Sequence, residues 1–187
     1  MFFKEFLLTF ILLINIYFCE SVGLKNSVEM QNVHVCPEND KLKEPVSNLK
    51  FTKINKTHSA LTMDYSYAKD IDDKTGYTVK LERWSDGGWV EWPFLPKQKN
   101  MCKSMMKLFP SIWLEANKDT NITHPDKCPI PAGRYHMENH IFDFTGLYAP
   151  IRLGKFRLTI KVTDDENKDL LYCLILEVTV EQRVNGV

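Results

Sequence analysis

The sequence predicts a mainly β fold, an antiparallel two-sheet sandwich or cup with one short helix. Three observations point to it. Residues 133–163 hold two runs in which apolar side chains recur at every second position, the period of a half-buried strand. Polar clusters such as Asp72-Asp73-Lys74-Thr75-Gly76 separate further runs of the same kind. A single segment, from Met101 to Trp113, changes to a helical period. Short alternating strands joined by polar turns favour two packed antiparallel sheets.

Residues 1–22 read as a signal peptide. Lys4 gives a positive start that Glu5 partly cancels, and residues 6–18 form a nearly continuous apolar run. At about 1.5 Å per residue that run covers roughly 20 Å, short of a ~30 Å hydrocarbon core. Small residues follow at cleavage spacing, as Cys19-x-Ser21 or Ser21-x-Gly23. Cleavage is the reading, and a retained anchor is the alternative. Residues 23–187 then form a single secreted, extracellular domain, large enough to bury its own core.

Leu49 and Phe51 begin a strand that ends near Ile54, and Leu61, Met63, Tyr65 and Tyr67 form the next. Tyr77, Val79 and Leu81 alternate with Thr78, Lys80 and Glu82 in a third. From Asn100, Met101, Met105, Leu108, Phe109, Ile112 and Trp113 fall on one helical face. Asn100 is a sound N-cap, and Pro110 should kink the helix or split it in two. In Cys128-Pro129-Ile130-Pro131-Ala132-Gly133 the prolines forbid a helix. Gly133 releases a strand with Tyr135, Met137 and Ile141 on alternate positions, and residues 142–154 read as a loop. Phe156, Leu158, Ile160 and Val162 make another strand. After the hydrophilic tip 164–169, Leu174, Leu176, Val178 and Val180 line one face of the last.

Of five cysteines, Cys19 leaves with the signal, and Cys36, Cys102, Cys128 and Cys173 remain. An even set in an oxidising compartment implies two disulfides, with three connectivities that spacing cannot separate. Zinc is the rival use of four cysteines, but no Cys-x-x-Cys pair is present.

No enzyme is expected. The chain has no Gly-x-Ser-x-Gly elbow, His-Glu-x-x-His helix or phosphate-cradling glycine loop, so no catalytic residue, metal or cofactor is assigned. His136 and His140, four apart on a strand, should share a face about 13 Å apart, too far to chelate one ion. They read as polar-edge histidines, with a pH-sensitive surface as the alternative. Formal charge balances at 24 Lys+Arg against 24 Asp+Glu, and no basic stripe marks a nucleic-acid partner. Asn55-Lys56-Thr57 and Asn121-Ile122-Thr123 are glycosylation sequons.

Trp84, Trp89, Trp92 and Phe94 crowd around Ser85-Asp86-Gly87-Gly88, and Met101, Met105 and Met106 follow closely. Tryptophan offers a large apolar body and methionine adapts to irregular shapes, which suits the mouth of an apolar pocket. Filling one end of the sandwich is the plain alternative.

The pattern Cys128-Pro-x-Pro-x-Gly133-x-Tyr135, a strand, a Pro150-containing loop, Gly154-x-Phe156-Arg157-Leu158 and the final Cys173 resembles insect secreted proteins of the chemosensory B type. It is more distantly similar to ganglioside-activator and other lipid-recognition proteins. The likeness extends from about Cys102 to Val180. The resemblance implies disulfides Cys36–Cys173 and Cys102–Cys128, and a hydrophobic cavity between the sheets. Together with the aromatic and methionine cluster it implies a lining of Trp92, Phe94, Met105, Leu108, Phe109, Trp113, Met137 and Phe156, opening between the Trp-rich loop and the helix.

The function implied is binding of a small hydrophobic ligand: a lipid, a fatty-acid derivative or a cuticular-hydrocarbon pheromone, in chemosensation. A membrane receptor and transient contact with a membrane surface are the further partners this reading admits. Two alternatives remain. One is a protein-interaction or innate-immune recognition module with a filled core. The other is a lipid-presenting accessory to a hydrolase, against which the balanced charge speaks mildly.

Overall fold

The computed structural model describes residues 26–55, 58–92, 97–118, 120–142, 153–164 and 168–182. The signal-peptide reading, Phe94 and most of the 142–154 loop lie outside them. Among the described residues eight strands and two α-helices follow in order: β1 (Asn26–Val35), β2 (Ser47–Lys53), β3 (Ser59–Tyr67), β4 (Thr75–Ser85), β5 (Gly88–Glu91), α1 (Met101–Leu108), α2 (Pro110–Lys118), β6 (Gly133–Phe142), β7 (Gly154–Asp164) and β8 (Leu170–Gln182), with a 3-10 turn, Pro37–Lys41, between β1 and β2. Five strands form one sheet in the order β1-β8-β7-β4-β5, and three form the other in the order β2-β3-β6. Every pairing is antiparallel. The fold is therefore mainly β, two antiparallel sheets with two short helices.

The two helices stand where the helical period predicts one. Asn100 caps α1, its side chain accepting from the Lys103 N–H at 3.1 Å. Pro110 cannot donate to the helix before it, so α1 ends and α2 begins at the proline. The Phe109 N–H still reaches the Met105 carbonyl at 2.8 Å, and Trp113 N–H donates to the Phe109 carbonyl at 2.9 Å. The pair thus turns a corner with little break in hydrogen bonding.

β6 and β7, consecutive in sequence, lie in different sheets, so the chain between them passes from one layer to the other. Ahead of β6, Ile130 exchanges two backbone hydrogen bonds with Ile71, at 2.8 and 3.2 Å, and both side chains are buried. A disulfide joins Cys102 of α1 to Cys128, and another joins Cys36 after β1 to Cys173 in β8. The first ties the helices to the three-stranded sheet's approach turn. The second closes a loop spanning 137 positions.

Two irregularities alter the expected faces. In β6, Leu61 pairs with His140 but Met63 pairs with Met137, so the strand gains a residue where Asn139 stands at φ 49°. The bulge turns His140 inward (3% exposed) and leaves Ile141 outside. His136 and His140 therefore occupy opposite faces, not the shared face that a regular strand predicts. In β1 a register shift between Met30 and Asn32 lets Met30 and Val33 both reach the core.

Candidate ligand cavity

An apolar cavity of about 180 Å³ lies between the sheets. β3 contributes Met63, Tyr65 and Tyr67, which alternation places on one face. Met137 of β6 joins them, and Tyr172 and Leu174 of β8 face them from the other sheet. The helices supply Met101, Met105, Ile112, Trp113, Ala116 and Asn117, and Val46 completes the wall. The spacing of Met101, Met105 and Ile112 along the apolar face explains why one side of the helix pair meets the cavity.

Tyrosines close one end. The Tyr67 ring lies 6.2 Å from Tyr172 across the two sheets, 5.4 Å from Tyr65 and 5.7 Å from Tyr135. Burial in this low-dielectric space pushes the Tyr65 phenol up to about 12 and lifts Tyr67 and Tyr172 well above the ordinary tyrosine value. All three are uncharged hydroxyls at any physiological pH. Among the described residues no Lys, Arg, His, Asp or Glu lines the cavity.

Of the side chains expected in the lining, Met105, Trp113 and Met137 come together here. Trp92 and Phe156 meet each other instead, ring centroids 6.3 Å apart. Phe156 is buried with Val178 and Val180 in a separate cluster on the five-stranded sheet. The Trp84 and Trp89 rings pack edge-on at 5.2 Å, and the Arg157 guanidinium sits 4.2 Å from the Trp89 centroid. Leu108 and Phe109 form the corner between α1 and α2, 54% and 36% exposed. Tyr67 and Tyr172 were absent from the expected lining. Their signal was present, since Tyr65 and Tyr67 continue the alternation of Met63, and Tyr172 continues that of Leu174 and Leu176.

A larger concavity of about 590 Å³ is open and polar, lined by Lys43, Glu44, Asp64, Arg134 and His136 among others. There His136 Nδ1 lies 2.5 Å from Asp64 Oδ1, and Asn48 donates to the same carboxylate. Such an open, polar groove offers an apolar molecule little gain over bulk solvent, so the smaller cavity is the stronger ligand site. Cys36, Glu38 and Cys173 lie close enough together to suggest metal ligands, but the two sulfurs are bonded to each other. Among the described residues no helix is long and apolar enough to cross a membrane.

Two disulfide-braced sheets enclosing an apolar, aromatic-walled space define a β-sandwich of the ligand-holding class. A family model for the ML domain, the MD-2-related lipid-recognition domain, matches residues 19–180, and the chain belongs to that family. It is a lipid-binding domain. One solved structure, a Niemann-Pick type C2 protein from Japanese carpenter ant, is similar at 9% identity over 83% of this chain and 93% of that one. Its TM-score of 0.28 is too low to add to the family match. No curated protein matches the chain.

Proposed function

We propose that the protein is a secreted carrier of a small hydrophobic ligand, released by cleavage of residues 1–22 and acting as the single domain 23–187. The observation that carries the proposal is an apolar cavity walled by both sheets and both helices. Each buried CH₂ contributes roughly 0.8 kcal/mol, so a chain-like ligand binds with little directional bonding. At about 180 Å³ the cavity is smaller than the ~300–1,000 Å³ typical of small-molecule sites. Ligand uptake therefore widens it. The helix pair is the wall that moves, because it lies outside both hydrogen-bonded sheets.

The contacting side chains we propose are Met63, Tyr67, Met105, Trp113, Met137 and Tyr172. Glycans at Asn55 and Asn121 fit the reading, since both asparagines are exposed. Transient docking on a membrane surface is part of it as well. Residues 97–114 carry four lysines and no acidic residue, and the exposed Leu108–Phe109 corner lies within that segment. A lipid or cuticular-hydrocarbon pheromone in contact chemosensation is the biological role we favour, supported by the Cys128-to-Cys173 sequence pattern.

Native mass spectrometry before and after organic extraction tests the proposal. A small adduct that extraction removes and a lipid extract restores is the expected result. A protein that takes up nothing under either condition belongs with the filled-core interaction modules.

A further inference from the structure

Among the described residues, the side chains lining the cavity include hydrogen-bond donors but no charge. Trp113 is 7% exposed, and its Nε1–H is buried without a protein acceptor. An indole nitrogen can only donate, so no alternative protonation or rotation satisfies it. Nearby in the same lining the Tyr67 and Tyr172 rings lie 6.2 Å apart. Tyr172 passes its own proton toward the Met101 Sδ at 3.9 Å. A thioether is a weak acceptor, so the Tyr172 hydroxyl has a partner that any ligand oxygen would outcompete. Asn117, the lining's other polar side chain besides Tyr65, already donates to the Trp113 carbonyl at 2.7 Å.

We propose that the cavity selects an uncharged lipid bearing a carbonyl or similar acceptor oxygen, which takes hydrogen bonds from Trp113 Nε1 and the Tyr172 hydroxyl. This rests on the reading of the cavity as a lipid site. A pure hydrocarbon leaves the indole donor unmatched. An ionised carboxylate loses its hydration and meets no cation, since no Lys, Arg or His lines the wall among the described residues. A ketone, aldehyde or ester offers these donors an acceptor oxygen and carries no charge to desolvate.

Displacement of a neutral fluorescent probe by hexadecane, by a methyl ketone of matched chain length and by palmitate at neutral pH tests the selection. The ketone should bind about 5–10-fold more tightly than hexadecane, the scale of one net hydrogen bond, and more tightly than palmitate. Trp113→Phe keeps a ring but removes the N–H, and should bring the ketone-to-hexadecane ratio close to one. Tyr172→Phe should lower the same ratio and serves if Trp113→Phe fails to fold. Equal affinity for ketone and hexadecane, palmitate binding as tightly as the ketone, or a ratio unmoved by both substitutions overturns the selection and leaves the lipid site standing. Failure of every probe to bind overturns the lipid reading and the selection together.

Discussion

Removing the Cys102–Cys128 disulfide separates stability from access. The bond joins residues 26 apart. Closing a loop of that length withdraws about 12 cal/mol/K from the unfolded chain, or about 3.5 kcal/mol at 25 °C. Cys102→Ala/Cys128→Ala should therefore lower the urea midpoint by about 1.5–2 M, taking a slope of about 2 kcal/mol/M. Six of the thirteen cavity-lining residues sit on the helix pair that this bond tethers. Loosening the tether should also quicken probe association and dissociation, read by stopped-flow fluorescence. The stability loss leaves a folded population, because a domain's total is about 5–15 kcal/mol. A loss under about 1 kcal/mol with unchanged slope would refute the loop-entropy argument. Full destabilisation with unchanged exchange rates would show that the helices are not the moving wall.

Removing Cys36–Cys173 instead, which closes 137 positions, should cost more, about 5 kcal/mol, so this double alanine variant should unfold at the lower urea concentration of the two. Met137→Ala, at a side chain 3% exposed and packed with Met30, Val33 and Leu61, should cost about 2–5 kcal/mol in urea unfolding. Asp64 is held below the ordinary aspartate value by hydrogen bonds from His136 and then Asn48. A depressed folded-state value stabilises above the unfolded value of about 4, and the effect fades as pH falls through the folded one. Asp64→Asn should therefore be less stable than the parent at pH 5–7 and equal to it near pH 2 in thermal unfolding.

Regular strands were legible and irregular ones were not. β3, β4 and β7 show clean alternation because each has one face against the core. β1 hides its period: Val28 and Met30 fall on even positions, Val33 and Val35 on odd ones, and the bulge between them reconciles the two. The same effect at Asn139 exchanges His140 and Ile141 between core and solvent. A bulge adds one residue without a sequence cue as strong as a proline, so parity arguments fail past it.

The cavity was half legible for a related reason. Helical spacing marks Met105 and Trp113, and strand spacing marks Met137, because each property is local. Trp92 and Phe156 entered the expected lining through the aromatic and methionine cluster and the family resemblance. Strand pairing decides otherwise: Phe156 pairs with Arg83 of β4, and the Trp92 N–H donates to the Leu81 carbonyl at 2.8 Å. Those are long-range facts that composition does not carry. Charge behaved similarly, since overall balance concealed the lysines of residues 97–114.

Methionine methyl groups report directly on whether a lipid enters between the sheets. Met63, Met101, Met105 and Met137 line the cavity, whereas Met30 and Met106 pack outside it. Methyl-labelled protein titrated with a long-chain methyl ketone should show large NMR shifts at the first four and small ones at Met30 and Met106. Saturable shifts confined to Met30 and Met106, or none at any of the six, would contradict a ligand held in this cavity.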